Sequence, residues 1–297
     1  MSERESKIFV SRTDEYNAYN ALKRIFNFFR IKLTFDTAAI KLNLCSLKSR
    51  ETGATSDPIV VEQLVKILNE NGVKVRLIES NSSSKNADLA FKYLGFKKLE
   101  EKYDVRCINI SRDDFSLRKI NGYYLKTVKI PKAIETCDFF ITHPKLKTHS
   151  SMKLHITGAL KNQFGCLIEK EKAKYHSMIH EIIADMNTAF TPDFIIMDAI
   201  TVMTGYGPTN GTPQRLNLLI AGLDPVAVDT FGAKILGSNP RSIRYIKLSA
   251  KRGLGNMNIR LFGDSIRDLN VNKNYNKRII INIFNFLDKL RIKGSQV

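Results

Sequence analysis

All five histidines of this 297-residue chain fall in the run HPKLKTHSSMKLHITGALKNQFGCLIEKEKAKYHSMIH, residues 143–180, which also carries many lysines. Imidazole titrates near neutral pH, so this concentration points to proton transfer or metal ligation. Lys145, Lys147, His149, Lys153, His155 and Lys161 would ring one opening, a setting suited to phosphate or carboxylate oxygens. Two carboxylates follow, Asp198 near the end of an apolar run and Asp229 between apolar neighbours. A buried carboxylate needs a cation or hydrogen-bond donors, so each could orient a histidine or hold a divalent ion. A salt bridge to a core lysine accounts for Asp229 equally well. A lysine run in a basic chain is ordinarily a solvated face, and the clustering of histidine is what sets this one apart.

The elements that must position these groups alternate between strands and helices. Residues 138–142 (DFFIT) form a strand that Pro144 ends, which leaves the polar residues after it on a strand-end loop. Residues 38–44 (AAIKLNL) read as a buried strand, with Lys41 either an anion ligand or an edge residue whose stem packs on the sheet. Asp57 caps and Pro58 opens a helix that Gly72 terminates. The next strand, residues 73–80, ends in a loop on the same side as the first, so Glu79 and Asn81 join the candidate site.

Apolar spacing predicts helices in residues 15–35, 87–95, 176–190 and 241–253, and one from Pro225 to Gly237 capped by Asp224. Residues 105–110, 194–200 and 216–222 read as further strands, and 122–130 alternates like an antiparallel edge or hairpin insertion. The loop TGYGPTNGTP, with Gly207 and Gly211, could bring backbone N–H groups to a phosphate. It is neither a Walker sequence nor GxGxxG, and a rigid turn is the competing reading. The pattern implies an α/β fold, a mostly parallel sheet flanked by helices with an antiparallel edge insertion. One domain over residues 1–255 and a basic C-terminal appendix, 256–297, are expected. The apolar stretch after residue 272 would pack on the domain, on a second copy, or at a membrane surface.

The net charge of +18 and pI near 9.7 concentrate anions at the surface, so phosphorylated metabolites, acidic lipid and nucleic acid are candidate partners. No zinc-finger spacing, RNP motif or basic-region heptad supports nucleic acid. Cys45, Cys107, Cys137 and Cys166 are too scattered for a CxxC pair and fit reduced thiols in the cytoplasm. The first residues lack the apolar core of a signal peptide, and no run approaches a membrane span. A GxSxG elbow is absent, so Cys166 is read as a small buried thiol rather than a nucleophile.

The strings PKLKTH (144–149), TGALKNQFG (157–165) and KYH (174–176) resemble the signature of the family called domain of unknown function 362, DUF362. The resemblance extends from IKLNL (40–44) through TGYGPTNGTP and AGLDPVAVD and covers roughly residues 38–255. Many members of that family carry ferredoxin-like cysteine clusters beside this domain. This chain has none, so the resemblance implies no iron–sulfur cluster here, although a redox or iron–sulfur partner protein remains compatible with it. The resemblance implies a shared site at Lys145, Lys147, His149, Lys161, Asn162 and His176, with Asp198, Gly207, Pro208, Gly211 and Asp229 matching a second block.

On chemistry, the lysines and Asn162 would bind substrate oxygens, and His149 or His176 would move a proton, with Asp198 as the orienting acid. The reading is an enzyme or binding protein for an anionic small molecule. One alternative is metal or redox-cofactor handling, with His149, His176 and Asp229 as candidate ligands. The other is a basic nucleic-acid-binding protein.

Overall fold

The computed structural model describes residues 5–82, 85–150 and 154–266. Lys153 and the tail beyond residue 266 lie outside the described residues. The strands are β1 (Ser6–Arg12), β2 (Thr37–Lys41), β3 (Lys74–Glu79), β4 (Val105–Asn109), β5 (Phe115–Lys119), β6 (Thr127–Pro131), β7 (Phe139–Thr142), β8 (Lys145–Thr148), β9 (Ile156–Thr157), β10 (Phe194–Thr204), β11 (Thr212–Gly222) and β12 (Ile259–Gly263). The helices are α1 (Ala18–Phe29), α2 (Pro58–Glu70), α3 (Ala87–Tyr93), α4 (Lys132–Glu135), α5 (Ala159–Gln163), α6 (Ile179–Ala189), α7 (Pro225–Ile235) and α8 (Arg244–Lys251).

The main sheet runs β12-β1-β11-β10-β7-β2-β3-β4, and β8 pairs with both β10 and β9. On that path β11 alone runs against its neighbours, β1 and β10, while the other pairings are parallel. The fold is therefore α/β with a mostly parallel sheet. The antiparallel insertion is β5 with β6, a hairpin outside the main sheet. The strand β12 lies beyond residue 255 and pairs with β1.

Alternation along each strand divides the core between the two faces. Ile195, Met197 and Ala199 of β10 face the layer of α5, α6, α7 and α8, whereas Phe194, Ile196 and Ile200 face α1, α2 and α3. The capping signals act as read: the Asp57 carboxylate accepts from Ile59 N–H at 2.9 Å, and Asp224 accepts from Ala227 N–H at 2.9 Å.

One local expectation is corrected. Residues 145–148 form a strand with all four residues buried, not a solvated loop. Pro144 lacks an N–H, but its carbonyl accepts from Asp198 N–H at 2.8 Å, so the chain leaves the β7 register and re-pairs along β10. The glycine-rich segment is the turn of the β10–β11 hairpin. There a Cβ on Gly207 would stand 2.0 Å from the Thr148 carbonyl oxygen, which only glycine avoids.

Candidate functional site

The chain steps outward from β2 to β3 to β4 and later places β7 on the other side of β2, so the strand order reverses at β2. A crevice at the carboxyl ends of strands at such a reversal is the general ligand site of open α/β sheets. Lys41 and Thr142, the last residues of β2 and β7, are register partners there. Asn162 of α5 ties them together, donating to the Lys41 carbonyl at 3.1 Å and to Thr142 Oγ1 at 2.9 Å.

Beside this tie lies a cavity of about 410 Å³ whose lining includes Lys41, Lys85, Lys161, Lys172, Glu79 and His176. Four lysines thus face one carboxylate. Lys41 Nζ donates to Glu79 Oε1 at 2.9 Å and to the Leu42 carbonyl at 2.6 Å. Lys85 Nζ stands 3.7 Å from the same Glu79 oxygen. The other Glu79 oxygen accepts from Leu44 N–H at 2.8 Å. Lys172 Nζ donates to Ser80 Oγ at 2.5 Å, and Ser80 Oγ donates to the Gly165 carbonyl. A Cβ on Gly165 would stand 2.7 Å from Lys41 Nζ, so a larger residue there would push the end of the Lys41 side chain aside.

Burial sets the electrostatics, since moving a charge from water into protein favours its neutral form. It lowers Lys172 to about 7, with Glu79 opposing. It lowers Lys161 to about 8, with the positive charge of Lys147 pushing in the same direction. His149 is driven down to about 3 by burial and then by Lys161 and Lys147, so its ring is neutral across the physiological range. His176 adds to that repulsion and sits exposed at the rim.

The sequence candidates separate. Lys161, Asn162 and His176 line the cavity, and His149 stands in the field of Lys161 and His176. Lys147 lies behind them, fully buried, donating to Asn43 Oδ1 at 2.7 Å, the Ala54 carbonyl at 2.6 Å and Cys45 Sγ at 3.2 Å. These bonds pin the loop after β2. Lys145 and Asp198 pair with each other at 2.7 Å, outside the cavity lining. Gly207 and Gly211 are outside the lining as well, and Asn81 instead accepts from Ala87 N–H at the start of α3. The histidines that looked clustered disperse. His143 is wholly buried with Nδ1 2.7 Å from the Ile196 carbonyl, His155 is half-buried, and His180 stacks on Tyr245.

Asp229 belongs to none of these groups. Its two oxygens accept from Ala159 and Leu160 N–H at 2.5 and 3.1 Å, so it caps α5 from α7. Burial raises it to about 7 in spite of those donors. Asp229→Ala would leave two buried N–H groups unpaired and is expected to cost about 2–4 kcal/mol in urea unfolding. Among the described residues, no three His, Cys, Asp or Glu side chains are grouped as they would be around a metal ion.

Lys85 and Lys172 are site residues that the sequence did not reveal. Lys85 follows a serine loop and Lys172 sits in the charge run EKEKAK, where nothing distinguishes it from a solvated lysine.

The family model described as domain of unknown function (DUF362) matches residues 38–234, which contain every cavity residue named above. A thylakoid-associated protein of Synechocystis sp., sll1697, is 26% identical over 226 residues, covering 74% of this chain and 68% of that protein. Among solved structures, the lactate racemase apoprotein from Thermoanaerobacterium thermosaccharolyticum is similar in fold, with a TM-score of 0.50 at 11% identity. The similarity covers 78% of this chain, which spans 57% of that protein. No helix among the described residues is long and apolar enough to cross a membrane.

Proposed function

The chain belongs to the DUF362 family, and we propose that it is an enzyme or binding protein for a small phosphate- or carboxylate-bearing molecule. One observation carries this reading: four lysines and one glutamate surround a single cavity at the strand-order reversal. A cavity of about 410 Å³ is the size of a metabolite site, and an excess of buried cations is what an anion would neutralise. The four unpaired cysteines suit a reducing compartment such as the cytoplasm.

Inorganic phosphate and a panel of small carboxylates are therefore expected to raise the melting midpoint in a salt-resistant way. Ligand at a hundred times its dissociation constant adds about 2.7 kcal/mol. Lys161→Met is expected to weaken that binding by roughly tenfold to a hundredfold, the range for one charge-assisted hydrogen bond. The unliganded variant should melt slightly higher, because a charge held against burial is gone. A panel that stabilises only at low salt, or equally in the variant, would place the ligand elsewhere.

The pH dependence follows from the two lowered lysines. Below about pH 7 both Lys172 and Lys161 are protonated, and as pH rises through 7 and then 8 each charge is lost. Affinity for an anion of fixed charge should fall across that window. Calorimetric titrations at pH 6, 7, 8 and 9 test this, and a flat profile counts against both lysines as ligands.

A further inference from the structure

We propose that Lys161 forms an imine with the carbonyl carbon of an anionic oxo acid held in the cavity. This rests on the anion-binding reading above and names its substrate class. The other lysines lining the cavity are engaged: Lys41 with Glu79, Lys85 near the same carboxylate, and Lys172 with Ser80 Oγ. Lys161 has no hydrogen-bond or carboxylate partner among the described residues, and its ammonium lies 5.6 Å from the centroid of the Phe164 ring. It projects from α5 next to Asn162, whose bonds to the ends of β2 and β7 fix that turn. The arrangement holds one amine in reserve in a cavity whose other three lysines outnumber its one carboxylate, Glu79.

The chemistry needs a neutral amine near physiological pH, and burial with Lys147 supplies it by lowering Lys161 to about 8. The nitrogen lone pair attacks the carbonyl carbon, a C–N bond forms, and the carbonyl oxygen takes one proton from nitrogen. The C–O bond then breaks, the hydroxyl departs with the second nitrogen proton as water, and C=N remains. No oxidant or reductant is consumed.

The test incubates the full chain with pyruvate, glyoxylate or 2-oxoglutarate plus sodium cyanoborohydride, which reduces any imine to a stable secondary amine, and maps the adduct by peptide mass spectrometry. The expected result is one adduct per chain, on Lys161, forming roughly a hundredfold faster than on exposed lysines, the ratio of their neutral fractions. Lys161→Arg keeps the charge and cannot form the imine. Shown to be folded by circular dichroism and cooperative urea unfolding, it should lose the adduct. Labelling on Lys172, labelling spread over surface lysines, or an undiminished adduct in Lys161→Arg would overturn the assignment. No adduct in a protein that phosphate still stabilises would overturn the imine alone. No adduct and no stabilisation by any anion would overturn the cavity reading with it.

Discussion

Glu79→Gln is expected to destabilise the protein by about 3–5 kcal/mol, the range for removing one partner of a buried ion pair. Glu79 is 4% exposed and Lys41 1%, so the amide would leave the Lys41 charge facing only neutral acceptors, the amide oxygen and the Leu42 carbonyl. Burial alone would raise the Glu79 carboxyl. Lys41 and Lys85, with the N–H groups of Leu44 and Ser80, outweigh it and hold Glu79 at about 2 against an ordinary 4.5. A carboxylate depressed on folding contributes stability that is present above its unfolded pKa and lost as pH falls through its folded one. The parent should therefore lose stability between about pH 4.5 and 2, and the variant should show less of that slope. Urea unfolding at neutral pH and through this window measures both effects. Adding Lys41→Met to the variant should recover part of the loss. A neutral-pH change within about 0.5 kcal/mol would mean that the Lys41–Glu79 pair contributes little to stability.

The second large effect is at Lys145 and Asp198, whose side chains are 1% and 0% exposed and 2.7 Å apart between β8 and β10. Lys145→Met should cost about 3–5 kcal/mol, and the pair Lys145→Met with Asp198→Leu should recover most of it, because the unpaired charge then disappears. The double-mutant cycle separates two roles for Asp198. A structural partner gives a large coupling energy and leaves anion binding intact in the double variant. A residue that works on a ligand would give little coupling and lose the binding.

Around His149 the sequence signals the cavity through its lysines and misleads through its histidines. The run from 143 to 180 does supply Lys161, Asn162, Lys172 and His176 to the cavity. Histidine clustering is spatial only in part: His149 and His176 lie near each other, whereas His143 and His180 are buried elsewhere. Lys41 and Glu79 were legible because a strand's last residue in a βαβ unit must lie at the ligand end of the sheet. The burial of Lys145 and Lys147 was not legible, because it depends on β8 pairing with β10, some 50 residues away.

The sequence by itself determined much of the alternation of strands and helices, though not β1, β8 or β12, together with the capped starts of α2 and α7, the two-faced alternation of the core strands and the family. These depend on neighbours within a few residues, through φ/ψ preference, capping and periodicity. Which charges meet was decided only by tertiary structure. Lysine is the same residue at 145, 147, 161 and 172, but one lies against Asp198, one against a loop carbonyl, one beside an aromatic ring and one against a serine hydroxyl. The free energy of a buried charge is set by those partners and by its distance from water, both of which are fixed when the sheet closes over residues far apart in the chain.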